Sequence, residues 1–225
     1  LDRVNDQSLE AHTLRKKILD RSAHLGVIGL GYVGLPLVME MAKEGFRVIG
    51  IDIDRPKVEA INAGMSYVLD VRNEDLLHFI MEKRIRATPS LTAIKDVDTV
   101  SICVPTPLRK TKDPDLSYVI AAMEAVRTYL RPGHLIILES TTYPGTTQEV
   151  VLPILERSGL RVGQDFFLAY SPERVDPSNK KYTTRVSYSQ NLRVKERKRR
   201  EEEGGQLQRV MMKELSRSMY RTNFF

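Results

Sequence analysis

The sequence predicts an α/β fold built on a doubly wound, mostly parallel sheet, with a short N-terminal helix and an irregular or helical basic C-terminal tail. Three observations lead to this prediction. A glycine-rich turn joins an apolar run to a helix pattern, the next apolar run ends on an acid, and strand and helix patterns alternate from there to about residue 170. Such alternation is typical of parallel strands with helices on both faces of the sheet.

The glycine turn is the most specific of these features. Within the run LGVIGLGYVGLPL, Gly29, Gly31 and Gly34 form the pattern G-x-G-x-x-G. The first glycine permits a tight turn, the second lets a phosphate approach the main chain, and the third lets helix and strand pack closely. Asp52 ends the next apolar run, where an acid accepts hydrogen bonds from ribose hydroxyls and repels a 2′-phosphate. This unit predicts a Rossmann-like fold that binds NAD rather than NADP, and the alternative is a glycine turn that binds nothing.

The remaining elements follow from local patterns. Leu9, Leu14 and Ile18 stand at near-helical spacing among charged residues and predict an amphipathic helix over 7–20. The predicted strands are 24–28, 46–51, 99–104, 134–139 and 166–170, and the further predicted helices are 33–43, 56–62, 73–85, 117–130 and 146–158.

Three segments are therefore expected along the chain. They are an N-terminal helix at 1–22, an NAD-binding domain at 23–185 and a tail at 186–225. The tail contains a long charge run and is predicted to be disordered or partly helical, with weak helical spacing over 207–219.

Composition and charge limit the classes of function. The chain has 225 residues, 41% of them hydrophobic, which suffices for one core. Its net charge is +6, but residues 187–225 carry ten Lys and Arg against five Asp and Glu, so the tail holds most of the excess. Acidic residues are mixed into that tail. They do not favour nucleic acid as a partner, because tracking of phosphates needs a coherent basic face.

The compartment and the metal content are predicted from a few residue types. One cysteine, no secretory pattern at the start and no apolar run of membrane-spanning length predict a cytoplasmic protein without a disulfide or membrane contact. Cys103 is interpreted as a buried structural thiol rather than a nucleophile, because no histidine or group of bases accompanies it in sequence. The four histidines show no metal-ligand spacing, so no metal site is predicted.

Two polar motifs follow predicted strands, whose carboxyl ends line the ligand crevice of such a sheet. CVPTP at 103–107 either directs Thr106 toward a cofactor or is a proline-stiffened loop. ESTTYPGTT at 139–147 puts Thr141 at the strand end, as a ligand contact or a solvated residue, whereas capping of the next helix explains Thr146.

A third motif, SPERVDP at 171–177, follows the last predicted strand. Glu173 is a candidate general base or holder of a catalytic water, and Arg174 a candidate partner for a phosphate or a sugar acid. The alternative is a solvated loop.

Together, GLGYVGLP, the acid after the second strand, CVPTPL, ESTTYPGTT and AYSPERVDP resemble the UDP-glucose/GDP-mannose dehydrogenase family, and within it the UDP-N-acetylglucosamine 6-dehydrogenase-like branch. The resemblance runs in family order from about residue 15 to residue 185. It implies NAD-dependent oxidation of the C6 alcohol of a UDP-N-acetylhexosamine to a uronic acid, for surface polysaccharide biosynthesis. It implies that the cofactor-binding residues are Gly29, Gly31, Tyr32, Val33, Gly34, Asp52, Thr106 and Thr141. It also implies catalytic roles for Thr141, which orients a water, and for Glu173, which assists hydrolysis of a covalent intermediate.

The sequence departs from the family pattern in two places. Four residues after Glu173, where the UDP-glucose branch has a second acid, this chain has Pro177, preceded by Asp176, which favours the N-acetylhexosamine branch. After Arg185 the chain does not match the family's continuation, which holds the dimer-forming helix, further contacts to the UDP-sugar substrate and the nucleophilic cysteine.

We therefore expect a truncated or frameshifted chain that binds NAD weakly or not at all and does not form the uronic acid. The alternative function is a non-catalytic NAD-binding or interaction module with a basic tail. The ordered motifs disfavour a third class, a dehydrogenase of hydroxy acids.

Overall fold

The structure is a computed structural model and describes residues 9–110 and 114–171. Its strands are β1 (His24–Ile28), β2 (Arg47–Ile51), β3 (Ile85–Thr88), β4 (Thr99–Ile102), β5 (Leu135–Leu138) and β6 (Phe167–Tyr170). Its helices are α1 (Leu9–Leu19), α2 (Gly34–Lys43), α3 (Arg55–Asn62), α4 (Asn73–Met81), α5 (Ser117–Tyr129) and α6 (Leu152–Glu156). A 3₁₀ segment, Leu91–Asp96, precedes β4, and a π-helical segment, Thr147–Val151, leads into α6.

The six strands form one sheet in the order β3-β2-β1-β4-β5-β6, and each neighbouring pair is parallel. Strands β2 and β3 are added in sequence on one side of β1, and strands β4, β5 and β6 are added in sequence on its other side. The strand order therefore reverses between β1 and β4, and a crevice opens at the carboxyl ends of strands at such a reversal. The predicted doubly wound α/β fold is confirmed.

Two apolar clusters pack against opposite faces of the sheet. Strand β5 illustrates the division, because Leu135 and Ile137 belong to one cluster and Ile136 and Leu138 to the other. Helices α1 and α2 cover the first cluster, and α5 and α6 cover the second. Each fully buried aliphatic side chain of this kind stabilises the fold by about 1.5–3 kcal/mol. Strands buried on both faces also explain why their sequences read as continuous apolar runs.

The predicted helix over 73–85 is wrong at its end, because α4 stops at Met81 and β3 follows. Lys83 has a left-handed backbone with φ of 56°, which turns the chain out of the helix. The Asn62 side chain then accepts a hydrogen bond from the Ala87 N–H and donates one to the Ala87 carbonyl, both at 2.9 Å. These two hydrogen bonds pair the backbone N–H and carbonyl of Ala87 in β3, which lies at the edge of the sheet.

The predicted helix over 146–158 is also divided. The segment Thr147–Val151 is π-helical and runs directly into α6, whose first turn contains Pro153. Predictions for the tail at 186–225, its helix at 207–219 and the motif around Glu173 lie outside the described residues. No helix within the described ranges has both the length and the apolar character that crossing a bilayer requires.

Candidate functional site

A cleft of about 780 Å³ lies at the carboxyl ends of β1, β4 and β5. Five segments contribute to its walls: Gly31, Tyr32 and Val33 after β1; Asp54, Pro56 and Lys57 after β2; Tyr67 and Val68 between α3 and α4; residues 103–106 after β4; and Glu139, Ser140 and Thr141 after β5. The cleft is therefore placed where the strand order reverses, as expected for a ligand site in this kind of sheet.

The three glycines of the turn have different surroundings. Gly29 has φ of +91°, and a Cβ there would lie 2.7 Å from the carbonyl oxygen of Cys103. A Cβ at Gly34 would lie 1.8 Å from the carbonyl oxygen of Gly29, so only glycine lets α2 begin this close to β1. Apart from Gly31 itself and its two neighbours in the chain, no atom lies within 4 Å of the position that a Cβ at Gly31 would take. The turn therefore leaves open backbone beside the start of α2, and this arrangement fits the pyrophosphate of a dinucleotide.

Asp52 lies beside this turn and is fixed by two backbone donors. Its Oδ2 accepts a hydrogen bond from the Leu30 N–H at 2.8 Å, and its Oδ1 accepts one from the Asp54 N–H at 3.0 Å. A carboxylate has about four acceptor sites, so capacity remains for the hydroxyls of a ribose. Asp54 in turn caps α3 by accepting from the Lys57 N–H, and the Lys57 ammonium lies 3.4 Å from its carboxylate.

Tyr67 reaches the same turn from the connection between α3 and α4. Its hydroxyl donates a hydrogen bond to the Leu30 carbonyl at 2.5 Å. Burial, together with the nearby charges of Asp52 and Asp54, raises the pKa of the Tyr67 phenol well above its usual value. The phenol therefore stays protonated and remains a donor. No signal in the sequence indicated this contact, because the two residues are 37 positions apart.

The ends of β4 and β5 bring the two threonines predicted from the motifs into one cleft. Thr106 is half-buried and Thr141 is exposed, and both line the cleft wall. The Ser140 hydroxyl donates to the Val104 carbonyl at 2.7 Å and so links the two strand ends. Ser140 stood inside a motif that the sequence singled out, but its linking role depends on strand pairing.

Several site predictions need revision or remain outside the structure. Thr146 does not cap the following helix, since its hydroxyl donates back to the Tyr143 carbonyl at 2.8 Å. Cys103 is half-buried and lines the cleft. It is therefore less buried than predicted from the sequence. Glu173 lies outside the described residues.

Glu139 is a cleft residue that sequence reasoning missed. It is the first residue after β5 and is only 2% exposed, although it carries a carboxyl group. The signal that found Asp52, an acid at the end of an apolar run, also applies to it. Among the described residues, no group of three or more His, Cys, Asp or Glu side chains is placed to hold a metal ion.

Comparison with known proteins identifies the family to which this fold and cleft belong. The profile of the UDP-glucose/GDP-mannose dehydrogenase family, NAD binding domain, matches residues 23–189. The chain is 40% identical over 159 residues to a UDP-N-acetyl-D-glucosamine 6-dehydrogenase of Salmonella typhi, a match that covers 70% of this chain and 36% of that protein. It is 36% identical over 154 residues to a UDP-N-acetyl-D-mannosamine dehydrogenase of Pyrococcus horikoshii, covering 68% of this chain and 37% of that protein.

Solved structures give the same result. A ternary complex of GDP-mannose dehydrogenase from Pseudomonas aeruginosa superposes with a TM-score of 0.64 at 32% identity, covering 68% of this chain and 36% of that one. The matched part thus spans little more than a third of these relatives. The predicted resemblance and the predicted NAD cofactor are confirmed at the level of the family. The chain belongs to the UDP-glucose/GDP-mannose dehydrogenase family and contains its NAD-binding domain.

Proposed function

We propose that this chain is the NAD-binding part of a nucleotide-sugar 6-dehydrogenase that oxidises the C6 alcohol of a UDP-N-acetylhexosamine to a uronic acid for surface polysaccharide. The observation that carries the proposal is the cleft, in which an open glycine turn and two threonines that follow strands meet, with Asp52 fixed beside that turn. The similarity to UDP-N-acetylhexosamine dehydrogenases supports the choice of sugar.

The proposal gives a role to each residue of the site. The open backbone at Gly31 and the start of α2 would hold the pyrophosphate, because backbone N–H groups at a helix N-terminus favour negative charge. Asp52 would accept hydrogen bonds from the adenosine ribose. Thr106 and Thr141, at the ends of β4 and β5, would contact the nicotinamide half. NAD, when bound, supplies the hydride acceptor.

Two further roles concern the steps beyond binding. We assign Thr141 the orientation of a catalytic water; this exposed residue lines the same cleft as the buried Glu139. We assign Glu173, from the SPERVDP motif, assistance to hydrolysis of the covalent intermediate. Both assignments rest on the family's motifs.

A titration of the 225-residue chain with NAD tests the proposal. We expect weak, saturable binding that Asp52→Ala weakens about tenfold or more, because hydrogen bonds to a charged group are lost. Glu59→Ala, which removes an exposed acid from α3, is the matched control and should leave the affinity unchanged. Asp52 also holds two backbone N–H groups, so the thermal unfolding of each ligand-free variant has to be measured alongside. Equal affinity for NAD in the wild type and in Asp52→Ala would contradict the assignment.

The catalytic capacity of this chain is tested separately with UDP-N-acetylglucosamine and NAD. The chain holds a single cysteine, Cys103, which directly follows β4 and lines the cleft. Since the second oxidation needs a thiolate that captures the aldehyde, whereas the first does not, we expect this chain alone to form no uronic acid. Formation of the uronic acid with two NADH per sugar would show that Cys103 or another group takes that role.

A further inference from the structure

Leu30, between the first two glycines of the turn, is held on three sides. Its N–H donates to the Asp52 carboxylate at 2.8 Å, and its carbonyl accepts from the Tyr67 hydroxyl at 2.5 Å. Its side chain is 1% exposed and packs so closely on β2 that a Cβ at Gly50 would lie 2.8 Å from both of its methyl carbons. Leu30, a residue of the glycine turn, is thus fixed through its N–H, its carbonyl and its side chain.

The contact from Tyr67 also determines the orientation of the next backbone donor. A trans peptide is planar, so the carbonyl of Leu30 and the N–H of Gly31 point in opposite directions and rotate together. Gly31 lines the cleft, and no atom lies within 4 Å of its Cβ position. No side chain of its own steers this peptide. The hydrogen bond from Tyr67 therefore limits rotation of the peptide that carries the Gly31 N–H.

Tyr67 is itself held in place by the segment that contains it. The next residue, Val68, is 4% exposed and belongs to the core, as does Val71 at 6%. The Ser66 N–H donates to the Asn73 side chain at 2.8 Å, and the Ser66 hydroxyl donates to the Val68 carbonyl at 3.0 Å. The phenol is therefore presented to the turn by a segment that the core anchors on the side of α4.

We propose that Tyr67 is a positioning residue for the dinucleotide: its hydroxyl fixes the Leu30–Gly31 peptide so that the Gly31 N–H is ready for the pyrophosphate. The inference rests on the proposed NAD binding in this cleft and adds a residue that acts through the turn. A residue with this role affects ligands that contain the pyrophosphate. It leaves the affinity for the adenosine part alone unchanged, because that part contacts the Asp52 side of the site.

The test uses the isotope-labelled 225-residue chain, with Tyr67→Phe as the variant and Tyr118→Phe, an exposed tyrosine on α5, as the matched control. In the ligand-free chain, we expect Tyr67→Phe to shift the Gly31 amide resonance and lower its order parameter, and Tyr118→Phe to change neither. In NMR titrations, we expect Tyr67→Phe to raise the dissociation constant for ADP-ribose about three- to tenfold, as the loss of one hydrogen bond predicts. The constant for adenosine should change by less than about twofold.

Two results would overturn the inference. One is an unchanged order parameter for Gly31 together with unchanged ADP-ribose affinity. The other is equal weakening of adenosine and ADP-ribose, which would give Tyr67 a general structural role. If the unaltered chain binds no dinucleotide, the proposed function fails, and the Gly31 amide in the ligand-free variants still decides the role of Tyr67.

Discussion

At the scale of single residues, the glycines of the turn at 29–34 differ in whether the fold leaves room for a side chain. A Cβ at Gly34 would collide with the Gly29 carbonyl oxygen at 1.8 Å, whereas a Cβ at Gly31 would meet nothing within 4 Å. Gly34 is therefore required by the fold itself. Gly31 has room for a side chain in this fold, so we expect its requirement for glycine to come from a ligand that approaches the main chain. A motif in the sequence treats these positions alike, and only the packing around each separates them.

This difference predicts opposite outcomes for two alanine substitutions. Gly31→Ala should unfold in urea like the wild type but bind NAD about tenfold more weakly or worse, because the new methyl group occupies the space of the phosphate. Gly34→Ala should lower the free energy of unfolding by about 3 kcal/mol, because α2 must move away from β1. Urea unfolding and NAD titration of both variants measure these effects. A Gly31→Ala variant that keeps full NAD affinity would mean that phosphate does not approach this glycine.

At the scale of elements, a polar cluster at the amino ends of the strands ties α1 to the sheet. Asp98 is buried, with 7% of its surface exposed. Its carboxylate accepts a hydrogen bond from the Lys17 ammonium of α1 at 2.8 Å and one from the His24 N–H at 2.9 Å. The Arg131 guanidinium lies 3.4 Å from the same carboxylate. Burial acts to raise the pKa of Asp98, but the hydrogen bonds from Lys17 and His24 outweigh it and hold the pKa below its usual value. The stability from this carboxylate is therefore present above its unfolded pKa and is lost as the pH falls through the folded pKa.

His134, at the start of β5, makes stability depend on pH in a higher window. It is fully buried, its Nε2 lies 3.0 Å from the Val97 carbonyl, and its Nδ1 accepts from the Arg131 N–H at 3.3 Å. Burial, with a contribution from the Arg131 charge, lowers the pKa of His134 to about 4 from 6.5. Between these two pH values the unfolded chain binds a proton that the folded chain does not, so stability falls as the pH decreases from 6.5 to 4.

We expect this single group to remove about 3 kcal/mol of stability across that window. Urea unfolding at neutral pH and near pH 4 measures the loss, which His134→Gln should reduce, because glutamine can donate and accept in the same place without titrating. His78→Gln, which alters an exposed histidine on α4, is the control. If His134→Gln leaves the pH dependence unchanged, another group is responsible for it.

The elements also show how far local patterns determine this fold. The alternation of apolar runs and helix patterns predicted every strand except β3, because its four residues IRAT alternate in burial and resemble the end of the preceding helix. Its pairing is completed by the Asn62 side chain, 25 positions earlier in the chain. The contact between Tyr67 and Leu30 is equally non-local. The sequence therefore predicted the residues of the turn and Asp52 beside it, but not the contact by which Tyr67 holds it.

At the scale of the whole molecule, the cleft connects parts of the sheet that are built separately. Its walls come from the segments after β1 and β2 and from those after β4 and β5, and the Ser140 hydroxyl joins the last two strand ends. A dinucleotide that contacts both groups of segments would bind only when the whole sheet is assembled. Binding should therefore stabilise the folded state as a unit rather than one of its halves.

This coupling predicts that NAD raises the midpoint of thermal unfolding. A ligand at ten times its dissociation constant that binds only the folded state adds about 1.4 kcal/mol, which corresponds to about 3–6 °C for a domain of this size. NADP at the same concentration should give a much smaller shift, because the Asp52 carboxylate beside the turn repels a 2′-phosphate. Differential scanning fluorimetry of the wild type and of Asp52→Ala, each with NAD and with NADP, makes the comparison. Equal shifts with the two nucleotides in the wild type would mean that Asp52 only supports the turn, through the N–H groups of Leu30 and Asp54, and does not select the ribose.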